Sequence, residues 1–296
     1  MALRDSLANY FDFEEHGTTL RTEVLAGLTT FLTMSYIVVV NPSILVGIPG
    51  EKPGIVVAGY GPGEVQSMLA VVTIVAAATA TLVMALYANR PFGQAPGLGL
   101  NAFFAFTVVG ALGIPWQTAL AAVVVEGIVF IALTAVGARE YIIRAFPEPV
   151  KFAVGTGIGL FLAIIGLQAM GIVVDDPATL VQLGPVATDP VAIVSVVGLL
   201  FTFALYARGI RGSIIIGIVA TTALGWMVAN AGLVGGDAAG RLVAGAPGAT
   251  YDITPLAGAF VVGLADIEAF TFALVVFTFF FVDFFDTAGT LTGVAQ

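Results

Sequence analysis

Eight apolar stretches dominate this chain, at about 22–42, 65–88, 98–113, 115–136, 150–173, 189–207, 212–230 and 268–291. A helix needs about 20 apolar residues to cross roughly 30 Å of hydrocarbon, and most of these stretches reach that length. The charge content points the same way. Charged residues make up 10% of the chain and hydrophobic ones 59%, whereas a soluble chain carries about 25% charged residues. So little charge cannot cover a globule of 296 residues, and much of the surface must face lipid. The predicted fold class is an all-α polytopic membrane protein with about eight transmembrane segments.

Counting charges orients the segments. With the N-terminus inside, Arg4, Arg21, Arg90, Arg139, Arg144, Lys151, Arg208 and Arg211 are internal, and only Lys52 and Arg241 are external. The positive-inside rule therefore favours a cytoplasmic N-terminus. The opposite face is acidic, with Glu51, Glu64, Asp175, Asp176, Asp189, Asp237, Asp252, Asp266 and Glu268. A high-salt habitat and ordinary solvated loops explain that equally well. Residues 1–21 are polar and acidic and lack a basic stretch followed by an apolar core, so no cleaved signal is expected. The chain has no cysteine, which excludes disulfides, thiolate metal sites and a cysteine nucleophile. The net charge of −9 argues against nucleic acid as a partner. No metal site and no cofactor is expected, and the single His16, in the polar leader, reads as solvated.

The third segment is irregular. Leu98 to Leu112 is 15 residues, about 22 Å of helix. Before it runs Arg90-Pro91-Phe92-Gly93-Gln94-Ala95-Pro96-Gly97, apolar enough to enter the membrane yet rich in residues that oppose a helix. Irregular backbone at membrane depth is tolerated only where protein or a watery cavity covers it. A short segment interrupted by Gly and Pro is also a sequence pointer to a transporter's binding site. A broken span is expected here, in preference to a cytoplasmic loop before a short helix. Residues 139–149 read as an amphipathic connector, with Tyr141, Ile142, Ile143 and Phe146 able to dip into the interface. Residues 231–266 read as an exterior loop.

Ionisable side chains within a span are costly and usually face the bundle interior or a water path. Asp283 and Asp286, three apart in Phe279-Phe280-Phe281-Val282-Asp283-Phe284-Phe285-Asp286-Thr287, share one helix face, which Thr287 and Thr290 continue. The surrounding phenylalanines are expected to point elsewhere. Two acids so close in lipid repel unless one is protonated or a cation is near, which favours a functional role over helix packing alone. Glu126, in Val123-Val124-Val125-Glu126-Gly127, fits a proton path and a buried interhelical hydrogen bond equally well. Asn101, at the start of the third segment, carries an amide that can read a nucleobase edge. Taken alone, it reads more simply as a helix cap or an interhelical bond.

Several runs resemble one family. His16-Gly17-Thr18-Thr19-Leu20-Arg21-Thr22-Glu23-Val24-Leu25-Ala26-Gly27-Leu28-Thr29-Thr30-Phe31 is similar to the start of the adenine/guanine/hypoxanthine permeases. These belong to the nucleobase–cation symporter group that includes xanthine and uracil permeases. Pro96-Gly97-Leu98-Gly99-Leu100-Asn101-Ala102-Phe103-Phe104 resembles the family's third span, residues 155–171 its fifth, and Asp283-Phe284-Phe285-Asp286-Thr287-Ala288-Gly289-Thr290 its eighth. The resemblance implies fourteen spans in two inverted halves of seven. This chain would hold the first half plus one span, with a discontinuous third span, and would be a C-terminally truncated member. It implies a cytoplasmic segment 1–21, a core domain at 22–136 and 268–296, a connector at 137–149, a gate domain at 150–230 and an exterior loop at 231–267. It also implies import of purine bases (hypoxanthine, adenine, guanine) by secondary transport across the plasma membrane. Proton, or sodium, symport would drive it, with a homodimer through the gate domain. Asn101 and Asp283 would contact the base and Asp286 would support the site or the coupling; Thr287 is a further binding candidate, an aromatic such as Phe103 or Phe104 could stack on the base, and Asp283, Asp286 and Glu126 are the proton-coupling candidates.

Two other readings exist. The sulfate permease group shares the scaffold, but acids on the eighth segment disfavour an anion. An intramembrane aspartyl protease needs carboxylates that face each other from separate elements, whereas Asp283 and Asp286 lie on one helix.

Overall fold

The computed structural model describes residues 2–137, 141, 147–210, 212–242, 250–265 and 268–294. Among the described residues the regular elements are helices apart from one short hairpin. Six helices among the described residues are long and apolar enough to cross a membrane by length and composition: Leu20–Leu45, Pro62–Leu86, Trp116–Ala135, Pro190–Ala207, Ser213–Asn230 and Ala269–Thr287. Leu98–Ala111 and Gly159–Ala169 are shorter apolar helices. These correspond in position to the eight stretches read from the sequence. Along the helices Phe31, Ile131, Leu160, Phe203, Val219 and Phe277 are exposed, the reverse of a soluble globule and what lipid-facing surfaces require. Most of the connector at 137–149 lies outside the described residues.

The chain divides into two compact units. The first comprises Met1–Val40, Val72–Pro96 and Met170–Gly245. It holds α1 (Ala2–Tyr10), α2 (Leu20–Met34) and the start of α3 (Ile37–Leu45). Thr19 caps α2 by accepting the Thr22 N–H, while the Thr18 hydroxyl donates to Glu23. The second half of α4 (Pro62–Leu86) also belongs here. After it the chain turns back rather than leaving: the Gln94 N–H donates to Thr81 Oγ1 at 2.9 Å, and Gly93 packs on Met34. Residues 89–97 are therefore non-helical and return alongside α4, an irregular stretch that both readings of the third segment contain.

The remainder of this unit begins with an antiparallel hairpin, β1 (Val173–Asp176) and β2 (Leu180–Leu183), which the apolar-run reading passed over. Its turn is closed by Asp176 Oδ1, which accepts from the Ala178 and Thr179 N–H groups and the Thr179 hydroxyl. Those donors hold the Asp176 carboxyl below the usual carboxylate range. With α7 reserved for the fifth span (Glu148–Ala169), α8 spans Pro190–Ala207 and α9 spans Ser213–Asn230. Asp189 caps α8 through the Val191 N–H and pairs at 3.4 Å with Arg241 of α10 (Gly236–Leu242).

In lipid, helices gain no hydrophobic drive by pairing, so association rests on close packing of small residues. The α8–α9 pair shows how. A methyl on Gly198 would lie 2.1 Å from Thr221 Oγ1, and one on Gly217 would lie 2.0 Å from Thr202 Oγ1. Each threonine also donates to the carbonyl of the glycine four residues back on its own helix, at 2.8 Å for Thr202 and 2.7 Å for Thr221. The contact is reciprocal, with a glycine and a threonine one turn apart on each helix.

The second unit comprises Asn41–Val71, Gly97–Ala169 and Ala246–Gln296. Its core joins Val46, Ile55, Val65, Leu69, Phe104, Ala105, Val108, Ala119, Ala122, Val275 and Phe279. The third segment contributes α5 (Leu98–Ala102), continued without interruption by a π-helix at Phe103–Ala111. Such wide turns occur frequently at functional sites. The loop after α3 folds over this helix: Pro53 meets Gly110, and the Trp116 indole donates to the Val56 carbonyl at 3.0 Å. At Gly54 (φ 149°) a side chain would strike the Leu45 carbonyl, which explains glycine there. Lys52 donates to the Ser43 carbonyl, and burial lowers its ammonium below the ordinary lysine range.

The fourth span is α6 (Trp116–Ala135). Part of the expected exterior loop forms α11 (Ala259–Gly263), whose Gly263 sits so close to the Gln117 carbonyl that a methyl would lie 2.0 Å from it. The last helix, α12 (Ala269–Val294), packs on α6, α7 and α5.

Candidate functional site

The polar groups of the second unit lie on three spans and on the end of α3. Along α12, Val275 and Phe279 are buried in the core, and four residues on, the same face becomes polar at Asp283. Asp283, Asp286 and Thr287 are all half-buried. Of the surrounding phenylalanines, Phe279 and Phe284 are buried against packed neighbours, Phe281 is exposed, and Phe279 lies directly below Asp283 in the helical repeat.

The structure brings Asp286 to the start of the third segment. A methyl built on Gly97 would lie 2.9 Å from Asp286 Oδ2. Gly97 is the N-cap residue of α5 and has no side chain to offer its free N–H groups. The carboxylate therefore stands where the chain enters the helix, an arrangement that any larger residue at 97 would disturb. Gly97→Ala is expected to fold, because its φ of −71° suits alanine, but to turn the Asp286 carboxyl aside. About a tenfold weaker affinity for the site's ligand is expected, roughly 1.4 kcal/mol, with little change in thermal unfolding. Parallel titration and melting of the variant check both halves.

Asn101 does not cap the helix. Its amide Nδ2 donates to Asn41 Oδ1 on α3, the interhelical alternative, and its own Oδ1 is a further acceptor. Asn41 is 3% exposed and went unremarked in the sequence reading. The signal was an amide inside the apolar run Val38-Val39-Val40-Asn41-Pro42. Phe103 meets Phe279 at 5.3 Å with the rings at 84°, and its side chain is partly buried against the core. Glu126 is buried in α6 at 6% exposure, and Asp283 is its electrostatic neighbour. Phe130 and Phe280, with ring centres 6.1 Å apart, close the same α6–α12 seam. The structure thus joins Asn101 to Asn41 and Asp286 to Gly97. Among the described residues no cluster of three or more His, Cys, Asp or Glu could hold a metal ion.

Comparison with known proteins supplies the wider frame. The model of the Permease family matches residues 21–296. The adenine permease AdeP of Escherichia coli is 38% identical over 98% of this chain and 59% of its own length. The guanine/hypoxanthine permease PbuG of Bacillus subtilis is 39% identical over 98% of this chain and 62% of its own. The adenine permease AdeQ of Escherichia coli is 35% identical over 98% of this chain and 60% of its own. The chain spans about three fifths of the length of these relatives.

Proposed function

The chain belongs to the Permease family, and from that premise we propose that it binds purine bases for import by cation symport. The observation that carries this reading is the pair Asp283 and Asp286 on α12, with Asp286 against the Gly97 entry to the third segment. The names of the relatives, for adenine and for guanine and hypoxanthine, direct the choice of substrate.

A purine offers ring N–H donors, ring-nitrogen acceptors and, in guanine and hypoxanthine, a carbonyl. Ionised carboxylates only accept, so Asp283 takes a ring N–H, and Asp286 and Thr287 complete that edge. Asn101 both donates and accepts, and its amide reads the opposite edge while Asn41 holds it in orientation. Phe103 supplies an aromatic face, fixed by its contact with Phe279. Charge-assisted hydrogen bonds of this kind contribute about 1.5–3 kcal/mol each. An acidic set suits a proton-bearing base and repels sulfate.

Transport follows as rocking of a gate (150–230) against a core (22–136 and 268–296). The proton gradient drives it, in a plasma membrane with the N-terminus in the cytoplasm and two copies joined through their gates. Equilibrium binding of labelled hypoxanthine to the purified chain tests the substrate assignment. Saturable binding displaced by adenine and guanine but not by sulfate is expected. Absence of saturable binding, or displacement by sulfate, overturns it.

A further inference from the structure

A cavity of about 340 Å³ lies at the end of the second unit where α6 and α12 both begin. It sits between the first turns of those helices and the turn that closes the third segment. Leu112, Phe272 and Val275 give it apolar walls, and Thr118, Thr271 and Glu268 give it oxygen atoms. Thr118 is the informative residue. Its side chain is 9% exposed, and among the described residues its hydroxyl has no hydrogen-bond partner. A buried hydroxyl in that state is costly unless something in the cavity meets it. One water takes up roughly 30 Å³, so the space is large enough for a ligand.

The polar atoms divide by kind. The Thr271 hydroxyl donates to Glu268 Oε2, which leaves the second Glu268 oxygen and the Thr271 lone pairs as acceptors. The Thr118 hydroxyl can donate. Pro115 gives α6 no side-chain cap, so the start of that helix keeps its partial positive charge and favours a ligand acceptor atom. Such a wall suits a flat molecule with an N–H on one edge, a carbonyl or ring nitrogen on another, and a ring that lies on Phe272. A carboxylate at the mouth repels an anion, and one carboxylate with hydroxyls is a poor set for a hard cation.

The cavity is separate from the acids. Val275 and Phe279 are successive core residues on the α12 face that leads to Asp283, and Asp283 lies two turns beyond Val275, about 12 Å along the helix. Between them Phe279, 2% exposed, meets Phe103 edge to face. That contact fills the core between the cavity and the acids.

We propose that this cavity is a second, weaker station for a purine base, with a base N–H on Glu268, an acceptor atom on the Thr118 hydroxyl and the ring against Phe272. The choice of a purine rests on the reading above; the cavity and its unmet hydroxyl do not. It is the weaker station because Glu268 is exposed to solvent, where a charge-assisted bond contributes less than in a buried site. In the orientation proposed above, this end faces outward, and the base meets it first.

Photolabelling of the purified chain with 8-azidoadenine, followed by digestion and mass mapping, tests the station. Label displaced by hypoxanthine is expected both at the cavity, on residues 112–118 or 268–275, and near Asp283. Asp283→Ala is expected to remove the label near the acids and keep the label at the cavity. Thr118→Val keeps the side-chain shape and removes the hydroxyl. It is expected to weaken labelling at the cavity roughly fivefold, the size of one neutral hydrogen bond. Labelling near Asp283 and thermal unfolding should not change, because no partner in the protein is lost. Glu268→Gln, on an exposed side chain, should weaken the cavity label as well. The station is overturned by absence of label at the cavity, by loss of both labels in Asp283→Ala, by a cavity label untouched by both cavity substitutions, or by a lower unfolding temperature in Thr118→Val. Label at the cavity without label near Asp283 contradicts the acid site and leaves the station standing. Absence of any label displaced by hypoxanthine contradicts both.

Discussion

Replacing Asp283 with alanine is expected to reduce hypoxanthine binding by at least about 100-fold, some 2.7 kcal/mol. The size follows from what is lost. A half-buried carboxylate that accepts a ring N–H makes a charge-assisted bond, and truncation leaves that donor of the bound base without an acceptor in a low-dielectric site. Asp283→Asn is expected to lose part of that, because its amide oxygen still accepts the ring N–H but without the charge that strengthens the bond. Asp283→Glu moves the carboxylate one methylene away from the helix and should recover only part of the affinity. None of the three should prevent insertion, since Asp283 lies at the polar end of a stripe whose apolar part, Val275 and Phe279, holds α12 in the core. Binding measured beside membrane yield and monodispersity separates the two effects. Unchanged affinity in Asp283→Ala, with protein in the membrane, would remove Asp283 from the site.

The second large effect is expected far from any acid. On helix propensity alone, Gly198→Ala should stabilise α8 by about 0.5–1 kcal/mol. The packing reverses that sign. The added methyl would lie 2.1 Å from Thr221 Oγ1 and 2.8 Å from Thr221 Cβ. Rotating the threonine hydroxyl away does not relieve a contact with Cβ, so the helices must separate. The Gly217–Thr202 contact on the same seam then opens as well. Net destabilisation of about 3 kcal/mol is expected, at the upper end of overpacking costs. Gly198→Leu should prevent recovery of monodisperse protein. Thr221→Gly added to Gly198→Ala removes the opposing side chain and should restore part of the loss. A double-mutant cycle read by thermal unfolding in detergent gives the coupling directly. Additive effects would show that the two positions do not share the contact.

The helical architecture was legible because the hydrocarbon layer imposes it. A continuous apolar run in lipid has one way to satisfy its backbone, so the eight stretches and the eight apolar helical segments coincide in position. The break before Leu98 was legible for the same reason, since Pro91, Gly93, Pro96 and Gly97 cannot sit in a regular span. The hairpin at 173–183 was not, because it begins where the fifth apolar stretch ends and falls in an acidic link between two stretches. Its strands depend on an Asp176 turn that hydropathy does not register. The short helix α11 was hidden in the same way, in a loop where Gly263 closely approaches Gln117.

The candidate site divides along the same line. That Asp283, Asp286 and Thr287 share a face follows from their spacing on a helix, whatever surrounds them. Which acid meets which neighbour does not follow, because spacing along one helix contains no distance to another. Only the tertiary packing set Asp286 against Gly97 and bound Asn101 to Asn41. The same holds for glycine. Composition announces many glycines in the spans, but which of them are contact points is decided by helix crossing, where Gly198 and Gly217 each face a threonine of the other helix. The sequence by itself determined where the apolar helical segments lie and which side chains are too polar to face lipid, since both are properties of a segment in a solvent. The pairing of those side chains was decided by the tertiary structure, since it is a property of two segments and of the close packing that brings them together.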